Sequence, residues 1–125
     1  GNILQHGVIL EKATLTFNGI GHIIKGAKGA DAQQESRVLM LSDQARSDAN
    51  PILLIDENDV TAGHAASIGQ VDPEDMYYLM SRGLDKETAE RLVVRGFLGS
   101  VIVEIPIKEV REEMIATIEE KLLKR

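Results

Sequence analysis

Apolar residues follow two different spacings along the chain, and the change falls near residue 71. From about residue 7 to residue 66 they come in six short runs, at 8–10, 13–17, 22–24, 37–41, 51–55 and 59–62. Short runs rich in Ile, Val, Thr and Leu and bounded by turn residues are typical of β-strands. The pattern therefore predicts six strands, separated by turns such as the glycine-containing segment 18–21, and no helix in this half.

The connections between these runs leave the pairing of the predicted strands open. The two-residue dipeptides that form tight hairpins are missing between the runs. An ordinary antiparallel sandwich and a stacked parallel β-helix therefore both remain as architectures. No internal repeat of fixed length is visible, which is unfavourable for a regular solenoid.

From Asp72 onward the spacing of apolar residues becomes helical. Asp72 followed by Pro73 is an N-cap with proline at the first helical position, and Gly83 is typical of a helix end. Asp85 is the expected N-cap of a second helix. A third helix is predicted to start near Pro106, with apolar residues three or four positions apart at Ile107, Val110, Met114, Ile118 and Leu122.

The two spacings divide the chain into a β part, residues 1–70, and a helical subdomain of about three helices, residues 71–125. The segment 101–105 has the composition of a strand but is expected to be the tail of the second helix. The buried face of that helix is predicted to consist of Ala89, Leu92, Val93 and Phe97, with Leu98 as a further member.

Composition excludes several classes of function. The 14 basic and 20 acidic residues leave a net charge of −6, and phosphate contact needs a basic surface, so no nucleic-acid partner is expected. No apolar run approaches the roughly 20 residues that span a bilayer, and no signal-peptide pattern opens the chain. A cytoplasmic protein without a membrane partner is therefore expected. Because the chain has no cysteine, it offers no thiolate to an iron–sulfur cluster.

His64 is the main candidate for chemistry because it stands among small residues after a strand-like run. Histidine can ligate a metal or transfer a proton near neutral pH. Zinc sites take three or four protein ligands, however, and neither His6 nor His22 has a helical metal-binding spacing to His64. The residues alone favour a hydrogen-bonded structural role. The alternative is a small-metabolite enzyme that uses His64 as acid–base with a carboxylate such as Asp59.

Several motifs, in order, resemble the SufB/SufD family of iron–sulfur cluster assembly proteins. The similarity extends from about residue 13 to the end of the chain and is strongest over 37–97. The matching features are FNGIG at 17–21, the segment 37–60 with its D-x-A-R turn, the signature His64, Gly69, Asp72 and Tyr78, SRG at 81–83, Ala89, and the pair Gly96 and Phe97.

The resemblance implies a fold, partners and a role. The fold would be the last coils of a right-handed parallel β-helix followed by C-terminal helices, as one part of a longer protein. The role would be a non-catalytic scaffold that pairs with a SufB-like paralogue and docks a SufC-like ATPase on its helices. The expected partner-binding residues are Tyr78, Arg82, Phe97, Val110, Met114 and Ile118. A generic β-helix interaction domain unrelated to metal is the other alternative.

Two positions make the chain similar to SufD-type rather than SufB-type members of the family. SufB-like chains have a cysteine where this chain has Gln44, and a glutamate where it has Gly63. The resemblance therefore implies no cofactor on this chain alone and an iron–sulfur cluster that is present transiently in the complex. It also implies that His64 faces the SufB-like partner as a candidate ligand in trans.

The resemblance has a consequence for association. A parallel β-helix that is cut across exposes the apolar end of its coil stack and unpaired strand edges. We therefore expect this chain to associate with itself, or with another protein, unless its N-terminal segment folds over the open end. A monomer whose sedimentation does not depend on concentration would contradict this expectation.

Overall fold

The computed structural model describes residues 1–124 and places them in five strands and three helices. The strands are β1 (Asn2–Ile9), β2 (Thr14–Ile23), β3 (Asp31–Met40), β4 (Arg46–Ile55) and β5 (Thr61–Gln70). The helices are α1 (Pro73–Ser81), α2 (Lys86–Ile102) and α3 (Lys108–Leu123). The strands lie in a first compact unit, Gly1–Gln70, and the helices in a second unit that begins at Val71. Within the described range, no helix is long and apolar enough to cross a membrane.

The five strands form two parallel sheets, and consecutive strands alternate between them. One sheet has the order β1–β3–β5 and the other pairs β2 with β4. Paired residues lie 30 to 32 positions apart along the chain, as in Asn2 with Gln33, Thr14 with Arg46, and Asp31 with Thr61. Because every pairing is parallel, the antiparallel sandwich that the sequence left open is wrong for this chain.

Strand β2 joins two runs that the sequence analysis separated. Gly19 and Gly21, which were predicted to form a turn, lie inside this strand. A Cβ added at Gly19 would overlap Nε2 of Gln34, a side chain of β3. Glycine is needed here because a side chain from the other sheet approaches the backbone closely. Turn conformations with positive φ occur instead at Gly26 and Gly29, with φ of 95° and 74°.

A small core lies between the two sheets. Alternate residues of a strand point to the same face of its sheet, so each strand contributes every second residue to this interior. The buried apolar residues are Ile9, Val38 and Ala45, with Leu15, Phe17 and Met40 packed against them. The same interior holds two buried polar side chains, those of Gln34 and Ser36, which are 2% and 1% exposed.

Local capping signals place the helix boundaries close to where the sequence predicts them. The carboxylate of Asp72 accepts a hydrogen bond from the backbone N–H of Glu74 at 2.8 Å. That of Asp85 accepts one from the N–H of Thr88 at 2.7 Å, and this bond lowers the pKa of Asp85 below its ordinary value of 3.8. Gly83, with φ of 93°, follows the end of α1.

The buried face of α2 differs in part from the predicted one. Ala89 is fully buried as expected, but Leu92 is 46% exposed and Val94 is 1% exposed. Ile102, in the segment predicted to be the tail of this helix, is its last residue and is also buried. The helical spacing predicts that a face is apolar, but which apolar residues are covered depends on where the neighbouring helices lie.

Candidate interaction site on the last strand

His64 lies inside β5 rather than after it, because this strand continues to Gln70. Strand β5 is an edge of the three-stranded sheet, and β3 is its partner. Most of its ten residues, including His64, are exposed. The candidate site is therefore an exposed strand edge that carries one histidine.

Backbone groups of the even-numbered residues of β5 face the free edge. The N–H of Thr61 donates to the carbonyl of Ala30 at 2.9 Å, at the β3 side. In a parallel pair, successive residues of one strand direct their N–H and C=O groups alternately toward the partner and away from it. The backbone groups of His64 and Ala66 therefore point away from β3. An added strand could pair with them by β-augmentation.

The composition of β5 leaves this edge unprotected. Natural edge strands are commonly protected by lysines, prolines or bulges, and the sequence TAGHAASIGQ contains no charged residue apart from the titratable histidine and no proline. Gly63 has no side chain that could block access to the strand. A Cβ at this position would lie 2.7 Å from Oε1 of its paired residue Gln33. The edge is thus suited to close approach by another chain.

The register places His64 beside the buried Gln34. Side chains of paired residues on parallel strands leave the same face of the sheet, so His64 shares the interior face at the open end of the strand stack. Residues 1–124 contain no group of three or more His, Cys, Asp or Glu side chains that could hold a metal ion. For His64 to ligate a metal, a partner must supply further ligands.

The acid–base pair that the enzyme alternative needs is not formed by the described residues, since no hydrogen bond joins His64 to Asp59. The close histidine–carboxylate pair is instead His22 Nε2 with Asp56 Oδ2, at 2.7 Å. Sequence analysis missed this pair because only the parallel register of β2 and β4 brings residues 34 positions apart together. The two side chains are 45% and 59% exposed, so this surface contact stabilises the fold little.

Three of the predicted partner-binding residues meet on α3. Val110, Met114 and Ile118 line one open cavity of about 360 Å³ together with Lys121. Val110 and Met114 are 39% and 38% exposed. Ile118 also lines a second, more apolar cavity of about 130 Å³ against Ile102 and other residues of α2. The first of these two cavities, lined by Val110, Met114 and Ile118, is called the α3 groove below.

The other three predicted residues are distributed over α1 and α2. The guanidinium carbon of Arg82 lies 5.2 Å from the ring centroid of Tyr78, a cation–π distance, and Tyr78 is 57% exposed. Phe97 is half-buried in α2. The structure therefore brings Tyr78 and Arg82 together as a second exposed feature, and it leaves Phe97 half-buried, as Ile118 is.

Comparison with known proteins decides the family. Residues 1–97 match the family model described as "SUF system FeS cluster assembly, SufBD core domain". The chain belongs to the SufBD family. It is 62% identical over 122 residues to the iron–sulfur cluster assembly protein SufD of Bacillus subtilis (strain 168), covering 98% of this chain and 28% of that protein. The SufD-type resemblance predicted from the motifs is thereby confirmed.

More distant members of the SufBD family also match. One is an iron–sulfur cluster assembly SufBD family protein of Mycobacterium tuberculosis (strain ATCC 25618 / H37Rv), 45% identical over 97 residues, which are 77% of this chain and 24% of that protein. Another from the same strain is 35% identical over 107 residues, 86% of this chain and 13% of that protein. The chain thus spans less than a third of the length of these relatives.

Proposed function

We propose that this chain is part of a non-catalytic scaffold for iron–sulfur cluster assembly. In this proposal it pairs with a SufB-like paralogue through the free edge of β5, and it docks a SufC-like ATPase on its helices. The free edge is the observation that carries the proposal, because it presents unpaired backbone groups on the strand that holds His64. Membership of the SufBD family supplies the process in which such pairing would serve.

The proposed architecture is the end of a right-handed parallel β-helix followed by helices. Its support is the alternation of consecutive strands between two parallel sheets, with pairing at intervals of 30 to 32 residues. Each interval then corresponds to one coil, with one strand in each sheet. In this architecture β5 is the first strand of an unfinished coil, which explains why its outer edge has no partner among the described strands.

We propose His64 as one ligand of a nascent cluster that is shared with the SufB-like partner. The cluster is the cargo of the complex, and the chain has no cysteine to hold it alone. We expect His64→Ala to leave pairing intact, because only the side chain changes, and to abolish or strongly reduce cluster assembly on the complex. The measurement is iron and sulfide per complex together with the visible absorption spectrum. A full complement of clusters on the His64→Ala complex would remove His64 from the ligand set.

The Ala66→Pro variant tests pairing through the free edge. The N–H of Ala66 points away from β3, so proline here removes an edge donor without removing a ladder bond, as edge strands tolerate. We expect about tenfold weaker binding of the SufB-like paralogue from the same organism. One hydrogen bond contributes roughly 0.5–1.5 kcal/mol, and about 1.4 kcal/mol is a factor of ten in affinity. Binding can be measured by calorimetry on the two purified proteins.

The matched control is Ala65→Pro, in which the lost N–H is one that faces β3. This variant should destabilise the first unit, because it removes a bond of the β3–β5 ladder. If a folded Ala66→Pro chain binds the paralogue as tightly as the original chain, pairing uses another surface. Loss of binding in both variants with equal loss of stability would show unfolding rather than edge recognition.

Docking of the SufC-like ATPase is tested on the α3 groove. The Ile118→Asp variant places a charge where α3 is lined by apolar side chains, so burying it against a partner would be costly. We expect the variant to capture at least about tenfold less ATPase in a pull-down, a loss of about 1.4 kcal/mol. Val110→Asp, at a more exposed position of the same groove, should act in the same direction.

Ala116→Asp is the control for this experiment because Ala116 is exposed and lies two positions from Met114, on another side of α3. It should leave capture unchanged. Circular dichroism of each variant establishes that the helices remain. Equal capture by the folded Ile118→Asp and Ala116→Asp variants would place the ATPase elsewhere on the protein.

A further inference from the structure

Gln34 carries a buried carboxamide that no described residue satisfies. Its side chain is 2% exposed, and neither Nε2 nor Oε1 has a hydrogen-bond partner. A buried polar group without a partner costs roughly 1–3 kcal/mol. Native proteins keep few such groups, and those that persist commonly have a functional reason. Methionine would fill a similar volume without this cost, so the carboxamide itself needs an explanation.

The other polar side chains around Gln34 are already engaged. The hydroxyl of Ser36 donates to Oε1 of Gln5 at 2.8 Å. On the interior face of the first unit, Gln34 is therefore the polar side chain that stands next to His64 in register and has its hydrogen-bonding capacity unused.

His64 is placed to use that capacity. Paired residues on neighbouring strands are about 4.8 Å apart between Cα atoms, which a glutamine side chain and an imidazole can bridge. In the structure the carboxamide of Gln34 lies against Gly19, on the β2 side. Turning it toward β5 breaks no hydrogen bond, because it has none.

We infer that Gln34 is a positioning residue for His64. Its Oε1 accepts the N–H of one imidazole nitrogen, which fixes the tautomer and the ring orientation and directs the other nitrogen to an incoming ligand. Histidines that bind metals almost always donate their second ring N–H to such an acceptor, and the glutamine carbonyl is one. The nature of the ligand rests on the proposed function, whereas the Gln34–His64 bond is a property of this chain alone.

The test reads the tautomer of His64 by nitrogen-15 NMR on the whole chain at alkaline pH, where the imidazole is neutral. The chain without substitutions should show His64 in a single tautomer. Gln34→Met should convert it to the mixture typical of an unrestrained imidazole, and Gln34→Glu, which keeps an acceptor, should restore a single tautomer. Gln33→Met is the matched control, because Gln33 is exposed on the opposite face of β3 and should change nothing.

A second readout covers the case in which Gln34→Met does not fold. His64 is exposed, so His64→Ala should fold, and the side-chain amide signals of Gln34 should then shift relative to the original chain. An unchanged tautomer in folded Gln34→Met, or unshifted Gln34 amide signals in His64→Ala, overturns the inference. Both measurements use the chain without partners. Failure of the Ala66→Pro binding test would therefore reject the proposed pairing and leave this result standing.

Discussion

Replacing Ile9 with alanine is expected to lower the free energy of unfolding of the first unit by about 3 kcal/mol, within the roughly 2–5 kcal/mol range for such truncations. Ile9 is 3% exposed and packs with Val38 and Ala45 in the buried cluster between the sheets. The cluster is small, so the cavity left by three missing carbons forms a large part of it. Urea unfolding should show a lower midpoint with an unchanged m-value.

Ile20→Ala is the matched control, since it makes the same chemical change in β2 at a side chain that is 61% exposed. It should change stability by less than about 0.5 kcal/mol, as is usual for surface substitutions. The contrast between the two isoleucines depends on which face of each strand is interior. Equal losses in both variants would mean that the strand faces are assigned incorrectly.

Gly19→Ala is expected to destabilise the first unit by about 1–3 kcal/mol, the usual cost of overpacking an interior. The added methyl group would overlap Nε2 of Gln34 and lie 3.1 Å from Oε1 of Gln5. The Gln34 side chain is almost fully buried, so it must turn away from β2 and toward β5 to make room for the methyl group. Thermal unfolding followed by circular dichroism would measure the loss.

The interpretation of Gly19→Ala depends on Gln34, and a double-mutant cycle tests this. Gly19→Ala combined with Gln34→Ala should be less destabilised than the sum of the two single variants, because the truncated side chain removes the overlap. Gly69→Ala is the control, since a Cβ there meets nothing within 4 Å. Additive effects at positions 19 and 34 would contradict the close approach of these residues.

The helix boundaries were predictable because the groups that form them are close in sequence. Asp72 and Asp85 bond to N–H groups two and three residues ahead, and Gly83 adopts its positive φ immediately after α1. The exposure of Leu92 and burial of Val94 were not predictable in the same way. They depend on contacts with other helices, which the spacing of apolar residues in α2 does not contain.

The strand arrangement was only partly predictable. Paired residues recur at 30 to 32 positions, but the residues that occupy one interior row differ from strand to strand: Gln5, Ser36 and Ala66 are aligned. The backbone pairing recurs at a regular interval, but the residue types at the paired positions do not. The sequence therefore shows no periodic pattern that would reveal the repeat. The glycines of β2 were read as a turn for a related reason, since the side chain that requires Gly19 comes from another strand.

Most residues of the candidate site could be predicted from the sequence. Their position on the sheet, and the groups that surround them, could not. The motif around His64 identified the residue, and helical spacing gathered Val110, Met114 and Ile118 on one groove. That His64 lies within an edge strand, with its backbone directed outward, required the register of β5 on β3. The burial of Gln34 beside it required both sheets. Neither property is encoded within a few residues of the histidine.

The long interval between paired strands also bears on how the chain acquires its fold. Each strand pairing in the first unit joins residues about 30 positions apart, whereas each helix of the second unit forms from neighbours in sequence. Folding slows as contacts become less local, because the entropy of closing a long loop is lost before the contacts form. During synthesis, the pairing of β1 with β3 cannot form until β3 has emerged from the ribosome. The helices should therefore form faster than the sheets. The chain is most exposed to aggregation while its strands are still unpaired.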